Sequence, residues 1–529
     1  MKQTATILLS LILLPLLSFS IMAQEVGDYR TQSSGNWSNA AIWEVYNGSA
    51  WQSIGVPPTG SGTITILSED SVYVNTPVSI SDTLIHQGIV EAIDSLTITI
   101  ANGGVYQYDR DEGTMPKCIW AEGSTLLITG VTSTAPEDRD QDYYNLTFNT
   151  PDMLSNLNMN LNHNTISGDV HVINSGFSRW YLTSALALDT SVVTILGDVI
   201  VEDGAQFSVQ GTSNAQTTFI VHHYGNINVN GGNFSISRGS QGGGTTTWYL
   251  YEGNFSMSNA TTQSSTATPG GAKFVFAGTV TQTLTLGEGN TLTALPIEVA
   301  AGATLDMGSS VMAGTGIFNV NAGATLITAL DGGINEIFSA VVAAVTLESG
   351  SGYGFNGTNA QITSTMMPDT IGGLIIDNAA GVTLSQETVI DGVLRLVNGV
   401  FDNTIPFTFG PNGDLIIEGG SLVVDVEDPI PVGIESSEIN IPQSFFVGQN
   451  YPNPFNPATK IRFGLPSAGY VTAKVFNITG QEVSTLFEGR LNAGEHELTF
   501  NGENVSSGVY FYRIEAGNEV GLKRMILLK

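Results

Sequence analysis

Cysteine is almost missing: the 529 residues include one, Cys118. No disulfide can form within the chain, and a lone cysteine of this kind reads as a small buried hydrophobe. Basic residues are scarce too, 17 Lys and Arg against 48 Asp and Glu, for a net charge of −31. Such a surface repels phosphate backbones and anionic lipid, which excludes nucleic acid as a partner. Charged residues make up only 12% of the chain, too few for a coiled coil or a charged disordered tail. Past the first residues no apolar run approaches 18, so no transmembrane helix is expected in the mature chain. Helical periodicity is nearly absent after the same point.

What is present is glycine, 61 of 529 residues, in an otherwise ordinary 42% apolar background. That mixture fits an all-β protein with many tight turns. The charge is unevenly placed. From Phe446 onward there are 8 basic and 7 acidic residues, whereas the region between residue 23 and that point holds 8 basic and 41 acidic. Cations are plausible counterions there, although a solvated acidic surface accounts for the charge equally well.

The first 23 residues carry Lys2, an apolar run from Ile7 to Leu17, and Ala23 before Gln24. A basic start, an apolar centre and a small residue at the break predict a removable signal peptide over 1–23. Residues 24–60 follow as a tryptophan-rich segment with Trp37, Trp43 and Trp51, expected to plug the open end of a repeat structure. The other reading of these rings is a sugar-stacking surface.

Residues 61–426 are repetitive. The pentapeptide AGATL occurs at Ala301–Leu305 and at Ala322–Leu326, 21 residues apart. Around it a looser pattern recurs: apolar residues at i and i+2, a glycine turn, then two more. Val199 and Val201 flank EDGA with Phe207 and Val209; Ile227 and Val229 flank NGG with Phe234 and Ile236. A period of two means strands with one buried face, and glycine permits the turn. Hairpins in stacked β-sandwiches would use this pattern, and so would a parallel β-helix, whose strands pair with the next coil. A 21-residue repeat suits the β-helix, and about 360 residues at ~21 per coil give about 17 coils over on the order of 80 Å. The expected fold is therefore all-β: a parallel β-helix-like solenoid passenger, a linker over 427–444, and a small immunoglobulin-like β-sandwich over 445–529.

Chemistry-bearing residues are sparse. Asp138, Asp140 and Asp142 alternate in EDRDQDYYN, which begins like a calcium loop but lacks its glycine and its twelfth-position glutamate. YDRDEG brings Asp109, Arg110, Asp111 and Glu112 together, with Lys117 near, the residue types a β-helical polysaccharide lyase or glycosidase would use. His222 and His223 sit in a strand where one ring faces inward, and His86, His163, His171 and His496 show no metal-ligand spacing. No catalytic or cofactor-binding residue is assigned.

The last segment is the most specific. QNYPNPFNPATKIRFGLP, VFNITGQEV, AGEHELTF, SSGVYFYRIEAG and KRMILLK stand in that order between Gln449 and Lys529. Prolines 452, 454 and 457 force an extended lead-in with corners at the asparagines. This stretch resembles the type A C-terminal sorting domain of type IX secretion substrates, found on surface or secreted proteins of Bacteroidetes-type bacteria. Phe476 replaces the family's usual Tyr. The resemblance implies a route: across the inner membrane, through the periplasm, then out through the type IX machinery, with release or attachment to surface lipopolysaccharide. It says nothing of the passenger's role, for which the sequence suggests a non-enzymatic adhesive or structural surface touching extracellular glycans. A polysaccharide-degrading β-helix is the alternative.

Overall fold

The computed structural model describes residues 24–423 and 444–529, except 93–97, 184–189, 212–216, 239–244, 265–270, 288–289, 294, 341–343, 467–468, 492–493 and 518. The expected signal peptide and, but for Ser444, the expected linker lie outside the described residues. The chain divides into two units between Asp425 and Val426.

In the first unit the alternating segments pair with the next coil and not with each other. Val199–Glu202 lies between Val170–Asn174 and Ile227–Asn230, parallel to both, while its sequence neighbour Gln206–Gln210 pairs with Asn233–Ser237. A parallel β-solenoid results, of about 14 turns. Its longest ladder carries one apolar column through Ile64, Leu84, Tyr106, Leu126, Leu146, Val170, Val199, Ile227 and Phe255, each in register with the next. All are buried. Stacking identical positions at the strand spacing of about 4.8 Å excludes water from the whole column at once.

Turns are fewer than a uniform 21-residue period predicts because the coils vary in length. AGATL does pair with AGATL, Leu305 against Leu326, at the expected 21. Between Val170 and Phe255 the step is 28 or 29 residues. Those coils carry three full strands, for example Thr218–His223, Ile227–Asn230 and Asn233–Ser237. Coils of 20 residues also hold three strands, as in Ile64–Ile66, Ser71–Val74 and Val78–Ile80, so the added length is not an added side. Inside the long coils Phe234, Trp248, Phe255 and Phe274 pack with centroids 5.1–6.5 Å apart.

The corner before the long ladder is built from a repeated glycine–Asx pair, Gly168–Asp169, Gly197–Asp198, Gly225–Asn226 and Gly253–Asn254. Backbones approach so closely that a Cβ on Gly225 would lie 2.1 Å from the Gly197 carbonyl oxygen, and one on Gly253 1.8 Å from that of Gly225. The Asx side chains then act as a vertical ladder. Asp169 Oδ1 accepts the Asp198 amide at 2.7 Å, Asp198 Oδ1 the Asn226 amide at 2.7 Å, and Asn226 Oδ1 the Asn254 amide at 3.0 Å. Corner amides that no strand pairs are thereby satisfied.

At the amino-terminal end the pattern changes. Tyr29–Thr31 pairs parallel with Ile64–Ile66 but antiparallel with Trp43–Tyr46, which pairs antiparallel with Trp51–Ser53. Trp37 and Trp43 are buried, 4.9 Å apart edge to face. Their indole N–H groups donate to Pro58 O and Trp37 O.

The second unit is an antiparallel two-sheet arrangement. One sheet holds Phe446–Val447, Ala458–Leu465 and Gly494–Asn501; the other holds Glu482–Leu491, Gly469–Asn477, Gly508–Ala516 and Glu519–Leu527. Ile461, Phe463, Val471, Val475, Ile514 and Met525 form its core. The proline-rich lead-in is tied to it by a buried polar knot. Tyr512 donates its hydroxyl proton to Gly448 O at 2.6 Å and accepts from the Asn450 amide at 2.8 Å, while Asn450 Nδ2 donates to Pro452 O and Thr459 Oγ1, each at 3.0 Å. Asn453 Oδ1 accepts the Ile526 amide on the edge strand.

Candidate functional site

The YDRDEG carboxylates do not converge. Asp109 accepts hydrogen bonds from Gln87 Nε2 and Thr129 Oγ1, both at 2.8 Å. Asp111 Oδ1 accepts the amides of Thr132, Ser133 and Thr134, each at 2.9 Å. Burial alone would raise its pKa; the amides of Thr134, Ser133 and Thr132 outweigh that and hold it at about 2. Glu112 lends its carbonyl to the Tyr108 hydroxyl at 2.5 Å. Arg110 bonds the Gly88 carbonyl, and Lys117 is exposed. Neither cation makes an ion pair with these acids among the described residues. Asp109 and Asp111 thus stitch neighbouring coils together, while Glu112 is exposed.

Asp138, Asp140 and Asp142 are all exposed. Asp142 Oδ1 already accepts the Thr165 amide at 2.8 Å. Among the described residues no group of three His, Cys, Asp or Glu is placed to hold a metal ion. Of the three, Asp142 is the one whose side chain bonds the next coil. Cys118 packs against the core, with burial raising its thiol pKa.

His222 and His223 separate as a strand requires. His223 is buried beside Trp248, with Nε2 on Gly197 O at 2.8 Å, and burial lowers its pKa to about 4. His86 is likewise buried, bonded through Nδ1 to Tyr106 OH, with Nε2 unpartnered; burial first and the nearby Arg110 second lower its pKa to about 3.

His222 points outward into a cluster that sequence reading missed. With Tyr224, Tyr249 and Tyr251 it forms four near-parallel rings on two adjacent coils. Interplanar angles are 16–26° and centroid distances 5.1–6.0 Å. His222 Nδ1 and Tyr251 OH are hydrogen-bonded at 2.9 Å. Trp51, by contrast, is partly covered: the Arg30 guanidinium sits 4.4 Å over its ring. With Trp37 and Trp43 buried, the tryptophans are not an open ring surface.

A shallow groove of about 550 Å³ marks the outer side of the long ladder, lined by Thr325, Gly352, Gly373, Ile375, Val393 and Arg395. A Cβ on Gly352 would meet Thr325 Oγ1 at 2.8 Å. The Arg395–Glu418 ion pair, 2.8 Å, closes one end.

Residues 449–528 match the family model of the secretion system C-terminal sorting domain, which marks them as a type IX secretion sorting tail. The chain is thus a substrate of type IX export, sent to the cell surface or secreted, and its passenger is a β-solenoid. Neither curated proteins nor solved structures give a significant match. Among the described residues no helix is long and apolar enough to cross a membrane.

Proposed function

We propose that the solenoid is a non-enzymatic adhesive or structural passenger that meets extracellular glycans. One observation carries the reading: Asp109 and Asp111 are engaged in coil-to-coil hydrogen bonds, while four partly exposed rings, His222, Tyr224, Tyr249 and Tyr251, are gathered on one outer face. The antiparallel segment around Trp37 and Trp43 serves as the end cap of the ladder. On the same proposal the chain passes through the periplasm before type IX export and is then released or joined to lipopolysaccharide.

The test is to incubate the purified mature chain with plant, algal and host glycans and to follow both binding and chain length. Binding without new reducing ends or unsaturated products is expected. Cleavage would overturn the reading in favour of a β-helical polysaccharide-degrading enzyme. The groove ending at Arg395 and Glu418 is the observation on that side, and an Arg395→Ala variant would then lose the cleavage.

A further inference from the structure

Resting on the adhesive reading, we propose that His222, Tyr224, Tyr249 and Tyr251 form a stacking platform for the hexopyranose rings of a neutral glycan. The register makes the platform. His222 pairs directly with Tyr249, and His223 with Leu250, so Tyr224 and Tyr251 follow one another at the next corner position. Leu250 in turn pairs with Phe276, which puts Ala277 on the coil beyond Tyr251. The stack therefore ends against a side chain that stops at Cβ. A sugar ring of similar thickness extends the column in that place, its C–H face on Tyr251, the geometry in which aromatic rings hold apolar faces with polar rims.

Three further observations select the ligand. Burial lowers the pKa of His222, which favours its neutral ring. Lys273, on the next coil, is neutralised by Glu298 at 2.9 Å, and the exposed Glu252 adjoins Tyr251. An anionic glycan meets repulsion here, and a neutral one does not. The patch is also small. Tyr224 is 37% exposed and the other three rings less, which leaves at most on the order of 300 Å² in all. A stable protein partner needs about 800 Å² on each side, while one or two sugar rings fit. Among the described residues the Tyr224 and Tyr249 hydroxyls bond no protein group and are placed to meet sugar hydroxyls. The His222–Tyr251 hydrogen bond fixes the rings beforehand, which lowers the ordering cost of binding.

The experiment is calorimetry of the mature chain with gluco- and manno-oligosaccharides, and with oligogalacturonate as the anionic comparison. A neutral oligosaccharide is expected to bind. Tyr251→Ala should weaken it about tenfold or more, Tyr224→Ala by less, and Tyr251→Phe by no more than about twofold, since the ring remains. Trp51→Ala, far along the ladder, should change nothing. Thermal melting of each variant separates loss of the ring from loss of the fold. Neutral binding that survives both tyrosine-to-alanine changes places the glycan site elsewhere and overturns this inference while leaving the adhesive passenger standing. Binding of oligogalacturonate alone, or of none of the sugars, also overturns it. Shortening of the oligosaccharides would instead overturn the adhesive reading beneath it.

Discussion

Gly225 and Gly302 do different work, and substitutions separate them. Gly302 has φ +84° with nothing near its missing Cβ, so Gly302→Ala should cost only the left-handed strain of about 1–2 kcal/mol. Gly225 has no such φ but would press a Cβ into backbone, so Gly225→Val should destabilise by about 3 kcal/mol or more, with Gly55→Ala, in open space, as the silent control. Denaturant midpoints of the three variants check the order. His86 and His223 give the solenoid a pH signature. Their folded pKa values, about 3 and about 4, lie below the ordinary 6.5. Above pH 6.5 both states hold neutral rings and neither residue contributes a slope. As pH falls from 6.5 toward 4 the unfolded chain takes up protons the folded chain refuses, so stability is lost. The melting temperature should drop through that window, and less steeply in His223→Leu; an unchanged slope would refute the assignment. Part of this was legible in the sequence. One ring of the His222–His223 pair had to face inward by strand alternation. The Gly–Asx pairs were equally readable as SGDV, LGDV, YGNI and EGNF, but their meaning depends on a backbone approach that no single coil displays.

Elements explain why the platform was not found beforehand. The AGATL pair suggests a step of 21, and on that step Tyr224 aligns with Thr245, not with Tyr251. The longer coils bring residues 27 apart into register, a step that the AGATL pair does not announce. Strand identity, in contrast, was plain from alternation, because a one-residue slip would expose an entire apolar column. Likewise the calcium-like and lyase-like motifs were judged by spacing along one segment, whereas their partners, Thr165 and Thr132–Thr134, come from the next coil. In the sorting unit the decisive element is the lead-in corner. Asn450→Ala removes buried bonds to Pro452 O and Thr459 Oγ1 and should destabilise that unit by about 1–3 kcal/mol, seen as earlier unfolding of the tail. Retention of full tail stability would mean the knot is dispensable.

At the scale of the whole molecule, charge and function divide between the two units. The region carrying 41 acidic and 8 basic residues is the solenoid with its flanks, whereas the sorting unit is nearly balanced. Self-repulsion keeps an acidic repeat surface soluble, while a near-neutral module suits recognition by protein machinery. Stability of the solenoid is a sum over neighbouring coils, so it does not depend on the tail for its own fold. Transport does. The most direct measurement is the location of a chain lacking Phe446–Lys529, expressed in its native host beside the full-length chain. The full-length chain should reach the surface or the medium, and the truncated one should stay inside the cell envelope with its solenoid folded. Equal amounts of both outside the cell would contradict the account.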